Sequence, residues 1–343
     1  DSLVSDQVRS LRLISKIQQQ TIPNEDFETV VIPDLQYLDE HINQLRNGYV
    51  LEWALKRLSE KYYKAGIIDK AHLLNTEYDP LFYFDEKKIT KTIQFITRPD
   101  KSPFDQFLLR KYTHSLQNLY AQKAVALLYE FKLKEAITAW EYAPDQASEQ
   151  MEGDPFTIHI NDCHDCDHTQ TLATPYSKMS FTKKLFELQQ KIKSDPTHAS
   201  QYYFELANGY YNMTYFGNAR MIYQTQMHYY GQFYFPLYES ASYYMGYNLR
   251  KDLPFLSCKQ AEFFYKKAME LSTDKEFKAK CCFMAAKAEQ NTFFISRPKG
   301  YNGDFKSGNY FSLLNSTYKQ TKYYQEVIEE CGYFKTYVDQ TKQ

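Results

Sequence analysis

Ala207, Gly246 and Ala285 stand 39 residues apart in turn, each inside a stretch of helical periodicity. A small side chain at such a position lets two helices approach closely, where a bulky one would hold them apart. Recurrence of that kind at a fixed period is the signature of stacked helical hairpins. The clearest unit runs from Asp195-Pro196 to Gln226. Asp195 suits an N-cap and Pro196 the first helical position, where a missing N–H costs nothing. Tyr203, Leu206, Ala207 and Tyr210 then recur at i, i+3, i+4 and i+7, one face of a helix. After a turn at 214–217, Ala219, Ile222, Tyr223 and Gln226 predict a second, antiparallel helix.

This order, large–x2–Leu–small–x2–Tyr followed by Ala–x3–aromatic, is the tetratricopeptide pattern. A second unit carries Met245, Gly246 and Leu249 in its first helix and Ala261, Tyr265 and Ala268 in its second. Met284, Ala285 and Ala288 open a third. The period exceeds the about 34 residues of a plain tetratricopeptide unit, and three units are about the minimum for a stable array. The fold class expected is therefore all-α, a tetratricopeptide-like α-solenoid of antiparallel helical hairpins. Residues 179–343 form its regular part, and the helix carrying Tyr323, Tyr324, Val327, Ile328 and Cys331 caps it, with Gly332 as a C′ residue.

Residues 1–143 read as a less regular hairpin region. Trp53, Leu55, Leu58, Tyr62 and Ala71 fit one hairpin turning at Lys64-Ala65-Gly66. Tyr120, Ala124, Leu127, Ala136 and Trp140 fit another turning near residues 130–133. Residues 23–40, with Pro23, Asn24, Pro33 and Asp34, read as loop, as does 78–103 with its Asp-Pro and Pro-Asp pairs. Composition agrees with helices: glycine is scarce, 11 of 343 residues, and aromatics reach 17%, with 32 Tyr and 24 Phe. Those rings supply a large core despite a mean hydropathy of −0.62, because tyrosine scores as polar yet buries a big ring. A net charge of −1 gives no electrostatic reason to expect a nucleic-acid partner.

Residues 144–178 interrupt the helices, and 292–308 form a second loop. The first insertion encloses Phe156-Thr157-Ile158-His159-Ile160, a strand-like alternation suggesting a short β-hairpin. His-Ile-Asn-Asp-Cys-His-Asp-Cys-Asp-His follows at 159–168. Zinc takes four tetrahedral ligands, and a CxxC loop supplies two thiolates on one side. Cys163, Cys166 and His168, with His159 or His164, are the candidate set, and zinc is the cofactor they would suit. Against it, ordinary structural sites draw their second ligand pair from a dozen or more residues away. A disulfide between Cys163 and Cys166, a redox pair and a solvated polar loop stand as alternatives. Elemental analysis of protein purified without chelator separates them: about one zinc per chain for the metal reading, under about 0.1 for the others.

Elsewhere the residues read as structure. Cys281 and Cys282 suit core filling, and His41, His72, His114, His198 and His228 have no acidic or nucleophilic partner at a telling spacing. No phosphate loop, dinucleotide fingerprint, HExxH or GxSxG motif occurs, so no catalytic residue is assigned and no enzyme is expected. No run reaches the roughly 18 apolar residues of a membrane span. The N-terminus, Asp1-Ser2-Leu3-Val4, has neither a basic nor an apolar signal region, so a mature form or a piece of a longer protein is expected.

The text of Asp154-Pro155-Phe156 through the Cys163–His168 block resembles a family of large exported proteins of Bacteroidota, to which no activity is attached. YFELANGYYNMTYFGNARMIY (203–223), 261–271 and YYQEVIEECGYF (323–334) carry the same likeness. The resemblance implies a helical, tetratricopeptide-like protein of the periplasm or outer membrane, of which this chain is a C-terminal portion. Three functions are expected in order: a scaffold binding a protein or peptide partner, such as a component of an outer-membrane complex; a glycan-binding lipoprotein component; and a metal-binding protein using 159–168.

Overall fold

The computed structural model describes residues 2–43, 47–75, 80–151, 153–160, 176–225, 253–296 and 308–341. It is all-helical, with no strand among the described residues. Two compact units divide inside one helix, between Lys123 and Ala124, so residues 124–143 and the 144–178 insertion lie in the second unit.

The first unit holds α1 (Ser2–Gln19), α2 (Glu25–Glu40), α3 (Asn47–Lys64), α4 (Ile68–Leu74), α5 (Glu86–Thr97), α6 (Pro103–Lys111) and the start of α7 (Leu116–Tyr129). Two stretches expected as loop are helices. α2 runs straight through Pro33, with Asn24 as N-cap accepting from the Phe27 amide. Proline inside a helix costs about 3 kcal/mol. Here the helix buries Phe27, Val31, Leu35 and Leu38, at about 1.5–3 kcal/mol per side chain, which outweighs it. Its buried Asp34 is also held by Arg12 and Lys16 of α1. In α5, Asp85 is the N-cap rather than a turn residue, and Ile89 and Ile93 form the buried stripe.

The turns at 64–66 and 130–133 fall where expected and share one geometry. Gly66 is left-handed (φ 76°), and the Ile67 amide reaches back to the Tyr62 carbonyl at 2.9 Å. Phe131 takes the same place with φ 61°, and the Lys132 amide bonds the Leu127 carbonyl at 2.9 Å. A left-handed phenylalanine costs about 1–2 kcal/mol. Its ring packs 5.4 Å from Tyr210 and 5.3 Å from Phe264, and each such pair returns about 0.5–1.5 kcal/mol beyond its burial.

In the second unit α8 (Leu133–Glu141) and α9 (Pro144–Ala147) are followed by α10 (Lys178–Ser194), α11 (Ala199–Asn212), α12 (Lys259–Leu271), α13 (Lys275–Ser296), α14 (Asn309–Thr317), α15 (Lys322–Glu330) and α16 (Gly332–Gln340). α10 packs on α8, α11 on α10, α12 on α11, and α13 on α12; α14 and α15 then cover α13. α13 is buried on every side from Cys281 through Ala288, as a helix enclosed by neighbours must be.

The repeat is not the expected one in detail. Asp195 is the C-cap of α10, and α11 begins only at Ala199 after a 3-10 turn, Pro196–His198. Residues 219–225, expected as a helix, hold a single 3-10 turn, Arg220–Ile222. α12 supplies the antiparallel neighbour of α11 instead. The turn after α11 is tied to the approach to α12: the Tyr215 amide bonds the Phe255 carbonyl at 2.8 Å, and the Tyr223 and Phe255 rings stack at 4.3 Å. Ala219 and Tyr223 are buried by that turn, so their spacing reflects burial and not a helix. Gly332 opens α16 rather than closing α15, since the Cys331 amide already ends the helix on the Val327 carbonyl.

Ala207, Ala261 and Ala285 are all buried to 1% exposure or less, and Gly246 lies outside the described residues. Ala207→Leu is expected to overpack α11 and lower stability by about 1–3 kcal/mol, read from the urea midpoint. A second expectation concerns acid. His72 is buried on Phe82, rings 3.5 Å apart, with its Nε2 3.1 Å from the Tyr112 hydroxyl. Burial, with a smaller push from His114, lowers its pKa from 6.5 to about 3. The unfolded chain then binds the extra proton first, so the stability due to neutral His72 is full above pH 6.5 and drains as the pH falls toward 3. The loss is about 2 kcal/mol at pH 5. Urea titrations at pH 7 and pH 5 should show it, and His72→Gln should flatten the difference.

Candidate functional site

The insertion at 144–178 is pinched at its neck. Gln150 and Ser177 form an isolated antiparallel bridge. The Met151 amide bonds the Tyr176 carbonyl at 2.9 Å, and the Lys178 amide bonds the Glu149 carbonyl at 3.1 Å. Lys178, only 1% exposed, pairs its ammonium with Glu149 at 2.5 Å. Burial lowers its pKa below the usual lysine range, and Glu149 opposes that shift. Below the neck the Trp140 indole donates to Thr182 at 3.0 Å, joining α8 to α10. A hairpin-like closure is thus present as one bridge, without flanking strands among the described residues.

Residues 156–160 are correspondingly not a strand. Residues 154–157 turn instead, the Thr157 amide reaching the Asp154 carbonyl at 3.2 Å, and five carbonyls of 154–159 accept from side chains. Asn212 of α11 donates its amide to the carbonyls of Pro155 (2.9 Å) and Thr157 (2.7 Å). Asn208, one turn earlier, donates to Phe156 at 2.9 Å, and Asn218 donates to Asp154 at 3.0 Å. Lys287 of α13 reaches the His159 carbonyl at 2.6 Å. The amide oxygens of the two α11 asparagines are used on the other side: Asn208 accepts from the Tyr265 hydroxyl at 2.9 Å, and Asn212 from the Asn218 amide at 3.4 Å. That orients both NH2 groups toward the arm at 154–159.

The turn after α11 sets this geometry. Gly217 packs on the Asn212 main chain so closely that a Cβ there would lie 2.1 Å from the Asn212 Cα. Gly209, in α11 itself, leaves room for the Phe156 ring: a Cβ would come within 3.1 Å of that ring and 2.7 Å of Leu185. The ring sits 5.2 Å from Tyr176 and 5.5 Å from Phe181.

Of the proposed zinc ligands, Cys163, His164, Cys166 and His168 lie outside the described residues. His159 is described, half-buried, and anchored by its carbonyl. Among the described residues no group of His, Cys, Asp and Glu could hold a metal ion. Cys258, Cys281, Cys282 and Cys331 are buried. Burial raises the Cys281 and Cys282 thiols, the latter to about 12, which keeps them protonated and unreactive. Of the packing set, Leu206, Ala207, Tyr210, Ala219, Tyr223, Ala261, Tyr265 and Ala285 are buried. Tyr203 is half-buried, its ring 6.0 Å from Phe264.

Sequence reasoning missed the asparagines because their spacing, i and i+4, falls among apolar positions and looks like ordinary helix text. It also missed a charged cluster in the first unit beside a cavity of about 750 Å³. There Lys70 bridges Glu28 (2.6 Å) and Asp105 (3.3 Å), and Tyr62 donates to Glu28 at 2.6 Å. Burial alone would raise the Asp105 carboxyl, but the Ser102 amide, Lys70 and Arg98 outweigh it and hold it below the usual range. Sequence cannot single out these acids from 42 carboxylates.

No helix of the described residues is long and apolar enough to cross a membrane. The chain matches no family model, no curated protein and no solved structure.

Asn212→Ala is expected to strip two arm carbonyls of their donor at a cost of about 2–4 kcal/mol. The matching observation is faster hydrogen exchange and proteolysis at 154–160, with helix content unchanged. Gly217→Ala should produce the same release through the displaced Asn212 backbone, so agreement of the two variants checks the geometry.

Proposed function

We propose that this chain is a non-enzymatic scaffold of the cell envelope, binding a protein or peptide partner through a tetratricopeptide-like surface of stacked helices. The observation that supports this most is the sequential packing of α10, α11, α12 and α13, with Ala207, Ala261 and Ala285 buried along it. Rigid successions of helices of this kind present extended surfaces suited to polypeptides. Two further features favour the tetratricopeptide reading of the hairpins. Ser59 donates to the Ala71 carbonyl at 2.8 Å, a close approach between α3 and α4 that only a small residue permits. The left-handed turn is repeated at Gly66 and Phe131. Placement in the periplasm or at the outer membrane rests on the resemblance to exported Bacteroidota proteins.

The test is cross-linking of the tagged chain in intact cells, followed by fractionation and mass spectrometry. A discrete protein partner should be recovered from envelope fractions and be absent from the tag-only control. Recovery of no protein above that control, or a soluble cytoplasmic location of the native protein, would count against the proposal.

A further inference from the structure

The arm at 154–159 is bound as a ligand peptide would be bound. Five of its main-chain carbonyls, those of Asp154, Pro155, Phe156, Thr157 and His159, accept from side chains of the helical body. None of these five bonds uses a side chain of the arm; they clasp the outward carbonyls of a turn, which the Thr157 amide closes on the Asp154 carbonyl at 3.2 Å and the Phe156 amide on the Asp154 side chain at 2.8 Å. The donors are oriented from the side of the body. Asn208 is 3% exposed and Asn212 5%, and each has its oxygen committed elsewhere, to Tyr265 and to the Asn218 amide. Selectivity enters through the turn and one ring. The Phe156 ring lies over Gly209, between Tyr176 and Phe181, and Pro155, its φ fixed by its own ring, suits the second position of the turn.

We infer that this face of α11, with Lys287 of α13, is a seat for a peptide that folds into an Asp-Pro-aromatic turn, and that residues 154–159 fill it in cis. A partner protein presenting such a segment binds here by displacing the arm. The inference rests on the scaffold reading and names its site and ligand class. Tethering places the arm at a local concentration on the order of millimolar, so a free peptide competes poorly until the arm is removed.

The test uses the full chain with 154–159 replaced by an equal length of Gly and Ser, and the synthetic peptide Asp-Pro-Phe-Thr-Ile-His as probe. The replaced chain should bind the labelled peptide saturably, at least about tenfold tighter than the intact chain does. Adding Asn208→Ala and Asn212→Ala, or using a peptide with Ala for Phe, should each weaken binding at least about tenfold. A replaced chain with native helix content that binds no peptide up to about 1 mM overturns the inference. So does binding indifferent to the two asparagines. If the replaced chain does not fold, Phe156→Ala in the intact chain serves. Peptide added in trans should then speed hydrogen exchange at 154–159, and an unchanged rate overturns the inference. Loss of peptide binding while a cross-linked envelope partner is still recovered removes this seat alone, whereas loss of the partner as well removes the scaffold reading.

Discussion

A main-chain carbonyl taken out of water without a donor costs about 1–3 kcal/mol, and the second unit is organised around meeting that requirement away from any sheet. The arm at 154–159 runs beside α11 with no strand to pair with, and side-chain amides do the work of a ladder. Asn212 serves two carbonyls at once. It does so because its own carbonyl and oxygen anchor the following turn, through the Ala219 and Asn218 amides. Gly217 is required for that turn to fold back on Asn212. One residue thus couples the end of α11, the loop beyond it and the arm of the insertion.

α13 imposes the complementary constraint. Its buried face runs all the way round, so α12, α14 and α15 must each close on it, and the small residues Ala279, Ala285, Ala286 and Ala288 let them. The polar exception is Lys287, 5% exposed, with its ammonium over the Tyr211 and Phe283 rings and bonded to the His159 carbonyl. A lysine so placed carries its charge through an apolar layer to the arm. The first unit solves the same problem with ions: Asp34, Glu28 and Asp105 are each buried beside a cation, since a buried carboxylate without such a partner is strongly destabilising.

Helix text with regular small residues was legible wherever the apolar stripe was long. Residues 203–210 and the 261, 265, 268 stripe are helices, and both left-handed turns fall where residues 64–66 and 130–133 put them. Pro33 and Asp85 misled for one reason: local breaker signals are weak against a buried stripe, and Phe27, Val31, Leu35 and Leu38 or Ile89 and Ile93 supply one. The reverse happened at Ala219, Ile222 and Tyr223, whose spacing fits a helix face but serves a 3-10 turn packed on Phe255.

The sequence by itself determined the helical class, the two hairpin turns and the break at the insertion, because periodicity and turn chemistry act within a few residues. Only the tertiary structure decided that α12 pairs with α11, that Asn208, Asn212, Asn218 and Lys287 meet one arm, and that Glu28, Lys70 and Asp105 share one site. Those pairings join residues 35 to 128 positions apart. At such separations, what selects a contact is which buried donor finds which buried acceptor once the helices have packed, and neighbouring residues carry no trace of that choice.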